Sequence, residues 1–399
     1  MRILVVTDRV GNPDANGSEV FCAALIEQLR AKHSIRVIGR LTDPLAEAKL
    51  LDNGDLAVSS AMANDSTVLM QFLRANIVPG DYDLIYNLGG LIFNCKVIAL
   101  LRLLKPAWPV VNHFQAILSE YSRLERQDLA MQASAKEQQV STVRGSALNI
   151  FASLNEFRTA TRQKFPIERR PVAIIPNAVR VADFDAVSPD DSFLPEAMRN
   201  AEQRPTILFA AGGFADFIKG ADMLYRAFLE LRERGHDLFL CVVSNGDRFA
   251  YLLKKLPPEC FTVLPWQPRA KFLSHMAASD IVIVPSRYES FGLVAAEAML
   301  LGKPVVADAV GGLEEVVRHE ITGLLNEPSG GSWGIAAAVE RLLAQPEWAK
   351  ELGDTARTVA RSEFDITRVA GLVDRELRRA MQYENAMSNL EDTGIILLA

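Results

Sequence analysis

Short runs of β-branched and aliphatic residues alternate with longer helical patterns along almost the whole chain, in two successive series. Ile3–Val6, Ile35–Ile38, Thr67–Leu69, Leu84–Asn87, Val110–Asn112 and Leu148–Phe151 read as strands of the first series. Ile207–Ala211, Leu238–Val243, Val263–Leu264, Ile281–Val284 and Val305–Ala307 read as strands of the second. Strands that are apolar on both faces must be covered on both faces, and intervening helices supply the parallel crossovers. The pattern predicts an α/β chain of two doubly wound Rossmann-like domains. Ligands of such open sheets bind beyond the strands' carboxyl ends, so the two domains are expected to face each other across a cleft.

The domain boundary is expected after IIPNAV (Ile174–Val179), where the pattern gives way to RVADFDAVSPDDSFLP, rich in Asp, Pro and Ser. This predicts a first domain over 1–180, a second over 181–370, and a C-terminal helix and tail over 371–399 that packs back on the first domain. Against 43 Lys and Arg stand 49 Asp and Glu, a formal charge of −6. No basic surplus exists to displace phosphate counterions, so a nucleic-acid partner is not expected. Cys22, Cys95, Cys241 and Cys260 lie far apart and form no CxxC pair, which predicts reduced thiols in a cytoplasmic protein. The opening MRILVVTDRV reads as a strand, not as a secretory leader, and no apolar run approaches the ~18 residues of a membrane span.

The chemistry concentrates in PSRYESFGLVAAEAM and the residues around it. A strand over Ile281–Val284 leads through the turn Pro285–Ser290 into a helix over Phe291–Leu301 that is apolar nearly all round. Glu297 sits inside that helix, and its neighbours three and four residues away are Leu293, Val294, Leu300 and Leu301. A buried carboxylate needs compensation. Either a Lys or Arg from elsewhere pairs with Glu297, or the side chain reaches solvent, or it points into a cleft and accepts hydrogen bonds from ligand hydroxyls. Glu289 lies in the turn before the helix, where α/β enzymes place reactive groups. The amides of Phe291, Gly292 and Leu293 are the free donors expected at that helix N-terminus, positioned for an anion such as a diphosphate.

Glu289 and Glu297 resemble the E-x7-E signature of retaining glycosyltransferases of the family 4 type, which have the GT-B fold. IIPNAVRVADFD, KGADMLYRAF, VGGLEEVVRHEITGLL, NGSEVFCAAL and VVNHF resemble further family motifs in the right order. The resemblance implies a nucleotide-sugar donor, a UDP- or GDP-sugar, held by the second domain, and an acceptor bound by the first. Glu297 would bind the ribose hydroxyls, Glu289 would contact the transferred sugar, and Lys219 would neutralise the diphosphate as a point charge. Gln267, Ser290, Phe291, Gly292 and Leu293 would complete the donor site, Gly17 would bring backbone close to the donor, and His113 would orient the sugar from the first domain. The implied reaction is front-face transfer with retained configuration, in which the leaving phosphate helps deprotonate the acceptor.

One part of the family pattern is missing. An arginine usually precedes the lysine by about five residues, whereas AAGGFADFIKG has none and carries Phe214 in that region. Arg287, Arg269 or the amides of Gly212 and Gly213 are the candidate substitutes. The triplets Asp81–Tyr82–Asp83 and Asp183–Phe184–Asp185 read as solvated turns, so neither a metal nor another cofactor is expected. CKVIALLRLLKP (Cys95–Pro106) has two readings: peripheral docking at the inner membrane face, beside a lipid-linked or other sugar acceptor, or an ordinary sheet-covering helix. The polar tract Glu120–Arg144 is expected to be helical, either lining the acceptor cleft or covering the sheet. The competing functions are a catalytically weak or inactive nucleotide-sugar-binding partner subunit, and an epimerase on the same fold.

Overall fold

The computed structural model describes every residue except 11–16, 42, 44–46, 125–127, 169, 191, 200–203, 212–216, 245–252, 254 and 393–399; beyond residue 386 it describes backbone alone. The chain forms two compact units. The first comprises Met1–Arg123, Gln127–Asn177 and the segment from Ile366 onward, and the second Ala178–Asp365.

The first unit is built on eight strands: β1 (Arg2–Arg9), β2 (Ser34–Arg40), β3 (Lys49–Leu50), β4 (Leu56–Val58), β5 (Leu84–Gly89), β6 (Val110–Phe114), β7 (Leu148–Phe151) and β8 (Val172–Ile174). Their spatial order is β3-β4-β2-β1-β5-β6-β7-β8. Every pairing is parallel except β3 with β4. The helix Ile92–Leu104 buries Phe93, Val97, Ile98 and Leu101 against Leu4, Val6, Ile85 and Trp108, each such side chain contributing roughly 1.5–3 kcal/mol. Lys96 Nζ donates to the Ala63 carbonyl at 2.7 Å and Arg102 Nη1 to that of Ser141 at 2.9 Å. The run thus forms a helix whose buried face covers the sheet. Among the described residues no helix is long and apolar enough to cross a membrane.

Three asparagines sit in register across β5, β6 and β7, and they are fully buried. Asn87 Nδ2 donates to Asn112 Oδ1, Asn112 Nδ2 to Asn149 Oδ1, and Asn149 Nδ2 to Ser146 Oγ, each at 2.9 Å. A polar row inside an apolar sheet survives because each amide satisfies the next. The C-terminal helix Ile366–Asp392 packs against the helix Gly17–Arg30, burying Val369, Val373 and Leu377. Its Asp374 accepts from His33 Nε2 at 2.8 Å and Arg378 Nε at 2.9 Å.

One local expectation is corrected. Thr67–Leu69 is not a strand but part of the helix Ser66–Asn76. Asp65 caps that helix by accepting from the amides of Thr67 and Val68, and the buried pair Leu69 and Leu73 follows helical spacing. The tract Glu120–Arg144 is helical as expected, divided between the helices Leu118–Leu124 and Leu129–Val143. Asp128 starts the second, its carboxylate accepting from Met131 N at 2.8 Å.

The second unit carries β9 (Thr206–Ala211), β10 (Phe239–Ser244), β11 (Phe261–Leu264), β12 (Ile281–Val284), β13 (Val305–Asp308) and β14 (Leu324–Asn326). The order is β11-β10-β9-β12-β13-β14, parallel throughout. Phe209, Leu240, Val242 and Ile283 pack against Leu224, Phe228 and Leu231 of the helix Ala221–Glu233 and against Ile335 and Val339 of the helix Gly331–Ala344. The chain runs outward from β9 to β11 and then returns to place β12 on the other side of β9. The sheet's topological switch point therefore lies between the carboxyl ends of β9 and β12, where doubly wound sheets open a crevice. Two doubly wound Rossmann-like α/β sheets are what the hydrophobic pattern predicts, with the antiparallel β3 as the one exception.

Candidate functional site

The turn after β12 and the loop after β9 meet at this switch point. Gly220 adopts a left-handed conformation (φ 74°), and a Cβ there would lie 1.7 Å from the Pro285 carbonyl oxygen. Only glycine lets the two segments approach so closely. The approach brings Lys219 Nζ within 2.6 Å of Glu289 Oε2, with Ser286 Oγ 3.5 Å from the same oxygen. The side chains remain 28% and 15% exposed, so the pair is sheltered yet reachable. The turn after β13 locks the arrangement from the other side. Gly312 N donates to the Glu289 carbonyl at 2.8 Å, and a Cβ on Gly311 (φ 56°) would stand 2.0 Å from that same oxygen.

Glu297 projects from the helix Leu293–Leu300, two residues shorter at its start than expected. Its side chain is 3% exposed, and Arg269 Nη1 donates to its Oε1 at 2.5 Å. Arg269 begins a different helix, Arg269–Ala277, and its guanidinium lies 5.5 Å from the centre of the Phe184 ring. Of the readings open for Glu297, the structure thus shows a basic partner from elsewhere. Arg287 is held as firmly. Its two terminal nitrogens grip Asp222 at 2.7 and 2.8 Å, Nη1 also donates to the Phe217 carbonyl at 2.6 Å, and the guanidinium covers the Phe217 ring at 4.0 Å. Both candidate substitutes for the missing arginine are therefore occupied by carboxylates. Gly212, Gly213 and Phe214 lie outside the described residues.

The remaining predicted donor residues of the second unit lie in the turn after β11 and at the start of the helix Leu293–Leu300. Gln267 stands in the turn after β11, its Nε2 donating to the Pro265 carbonyl at 2.8 Å. Ser290 is half-buried, and Phe291 is buried edge-on against Phe364 with ring centres 5.3 Å apart. Gly292 caps the helix at φ 113° with no side-chain cap bond, and the half-buried Leu293 opens the helix at the positive end of its dipole.

Three features of this region escaped the sequence reading. Asp222 and its grip on Arg287 gave no signal, and nothing singled out Arg269 as the basic partner of Glu297. The third is Asp308, at the carboxyl end of β13, which is 1% exposed and accepts from Asn326 Nδ2 at 2.6 Å. Burial pushes its carboxyl up to about 6, against the smaller opposing effects of the Asn326 bond and the Arg287 charge. The paired glycines of VGGLEE were the only sequence hint of the close approach to Glu289.

Gly17 and His113 belong to the first unit. Gly17 opens the helix Gly17–Arg30, and Phe21 in that helix's second turn stands edge-on to the His113 ring at 5.7 Å. His113 is fully buried in β6, with Nδ1 2.6 Å from Tyr86 Oη and no hydrogen-bond partner at Nε2 among the described residues. Burial lowers its pKa to about 3, so the ring is neutral, and the same burial keeps Tyr86 protonated. With Tyr86 donating to Nδ1, Nε2 carries the ring hydrogen. The two D-x-D triplets are tied elsewhere: Asp83 takes the Arg2 guanidinium at 2.8 Å, and Asp185 that of Arg361 at 2.7 Å.

Known proteins resemble this chain in fold and, over part of its length, in sequence. The sucrose-phosphate synthase of Thermosynechococcus elongatus superimposes with a TM-score of 0.78 at 21% identity, covering 96% of this chain and 100% of that one. Anabaena HepE, solved with UDP-glucose, superimposes with a TM-score of 0.70 at 20% identity over 95% and 100%. At such identities the likeness is one of fold. A D-inositol 3-phosphate glycosyltransferase of Corynebacterium aurimucosum is 38% identical over 188 residues, 44% of each chain. Its counterpart in Xylanimonas cellulosilytica is 36% identical over 163 residues, 39% of each chain. The aligned stretch thus spans only about two-fifths of these relatives' length. Residues 192–359, nearly the whole second unit, match the family described as glycosyl transferases group 1.

Proposed function

We propose that this chain is a retaining, metal-independent glycosyltransferase of the family 4 type that moves a sugar from a UDP- or GDP-sugar to an acceptor. The observation that carries the reading is the Lys219–Glu289 pair at the β9/β12 switch point, with Glu297 eight residues further on. Lys219 supplies the charge that a leaving diphosphate needs, and the helix N-terminus at Leu293 adds oriented amides. Glu289 exchanges its lysine partner for hydroxyls of the transferred sugar, and Glu297 accepts from the ribose diol. The bond from the anomeric carbon to the phosphate oxygen breaks as the acceptor oxygen bonds to the same face. The acceptor's proton passes to the departing phosphate oxygen. His113, neutral and carrying hydrogen on Nε2, serves as a hydrogen-bond donor and not as an acid.

The support from relatives is of two kinds: HepE has been solved with UDP-glucose, and the aligned relatives are named glycosyltransferases. The same proposal assigns the acceptor, a sugar, a lipid-linked sugar or another small molecule, to the first domain. It places the enzyme in the cytoplasm, at the inner membrane face where the acceptor is lipid-linked. Calorimetric titration with UDP, GDP and ADP, repeated on Glu297→Ala, tests the donor site. One nucleotide should bind and be weakened by the substitution. Transfer assays with that donor series, with the product's anomeric configuration read by NMR, then test retention. The occupied state of both arginines favours one second reading, a nucleotide-sugar-binding subunit without catalysis of its own. Binding without transfer would establish it. A sugar altered without any acceptor would instead identify an epimerase.

A further inference from the structure

We propose that a cavity at the amino ends of β9, β12 and β13, at the far end of the second sheet from the candidate active site, is a second binding site that takes a phosphorylated small molecule. The cavity measures about 550 Å³, within the range of small-molecule sites. Arg204, Lys303 and Lys350 line it, and among its described lining residues Asp280 is the one carboxylate. Asp280 is already engaged, Oδ2 accepting from Thr206 N at 2.7 Å. Arg204 lies 3.8 Å from Asp237, and among the described residues Lys350 pairs only with the exposed Asp354 one helical turn on. Lys303 forms no ion pair among the described residues. Burial lowers its pKa, the Arg357 guanidinium adds to that, and Asp280 offsets only part. An ammonium so placed gains charge compensation when an anion arrives, which makes anion binding favourable here.

Two further features shape the ligand. Pro346 opens the helix Pro346–Glu363 on the cavity wall, and the Gln345 side chain makes no cap bond there. The positive end of an 18-residue helix therefore adds to the three cations. Leu342 supplies part of an apolar wall beside them, so the site has a cationic corner for a phosphate and a greasy surface for the body that carries it. The six-residue strand β9 separates the cavity from the switch point by roughly 20 Å. Its ligand is therefore not the sugar donor, and its occupancy is independent of the donor chemistry proposed above.

The test is calorimetric titration of the full chain with phenyl phosphate, inorganic phosphate and phenol. Phenyl phosphate should bind more tightly than inorganic phosphate, and phenol not measurably. Lys350→Glu, on an exposed position that the fold tolerates, and Lys303→Met should each weaken binding about tenfold or more. Lys219→Met should leave it unchanged. Failure of both phosphates to bind would overturn the proposal. So would loss of binding in Lys219→Met with none in Lys350→Glu, which would locate the phosphate in the donor site, or equal binding of phenol, which would leave only an apolar pocket.

Discussion

Arg269 Nη1 stands 2.5 Å from Glu297 Oε1, and the two charges are 21% and 3% exposed on helices that start on opposite sides of β9. A buried pair of this kind adds little net stability when both partners are present, but removing one leaves the other uncompensated. Arg269→Met is therefore expected to destabilise the second unit by about 3 kcal/mol, lowering its Tm by roughly 6–12 °C. Arg269→Met combined with Glu297→Gln should recover most of that loss. Thermal melts of the two variants check this, and an unchanged Tm in the single variant would show that the pair does not matter to the fold.

Lys219 and Glu289 form the corresponding pair at the switch point, half sheltered and open to ligand. Lys219→Met removes the point charge assigned to the diphosphate, and the expected result is a drop of about 100-fold or more in kcat/KM with the fold intact. Glu289→Gln should lower kcat while nucleotide binding persists, because the proposal assigns it to the transferred sugar. Steady-state kinetics beside calorimetry separate the two, and equal losses of nucleotide affinity would contradict the assignment.

His113 makes a pH prediction with a definite sign. Its pKa falls from 6.5 to about 3 in the folded chain, so between those values the unfolded chain binds the extra proton. Stability contributed by the neutral ring is complete above about pH 6.5 and declines as the pH falls toward 3. The ring's NMR signals should not titrate between pH 8 and 5. His113→Gln should flatten the acid limb of the stability curve, and a normal titration of the wild-type ring near 6.5 would disprove its burial.

Asp308 runs the other way. Its folded value of about 6 lies above the ordinary 3.8, so the folded chain holds the proton more tightly and stability declines as the pH rises through that window. Above it, the buried carboxylate is ionised at a cost on the order of 1–3 kcal/mol. Asp308→Asn keeps an oxygen for Asn326 and should raise Tm at pH 7.5 while removing the slope between pH 4 and 6. A lower Tm at pH 7.5 would mean that the charge is needed where it stands.

Transfer should continue after chelation. The proposed route draws its leaving-group stabilisation from Lys219 and the helix amides at Leu293, so activity measured after exhaustive treatment with EDTA is expected to match the untreated enzyme. Loss of activity that Mg²⁺ or Mn²⁺ restores would replace that account with a metal-assisted one.

The strands β1, β5, β6, β7, β9, β10, β12 and β13 could be read from the chain because each is a short run of apolar residues set apart from the longer helical patterns. Thr67–Leu69 could not, since a three-residue β-branched and aliphatic run carries no period, and the capping carboxylate of Asp65 with the buried Leu69 and Leu73 outweighs propensity. The candidate carboxylates Glu289 and Glu297 were visible as an unusual pair flanking a helix start. Their partners were not. Lys219 lies 70 residues from Glu289, Asp222 lies 65 from Arg287, and Arg269 lies 28 from Glu297. Each pairing exists only because β12 returns to lie beside β9, a choice made by the packing of the whole sheet. Residue type and local periodicity specify elements and the chemistry they carry. Which charge meets which depends on strand order, and strand order is set by the burial of a common core that no local window contains.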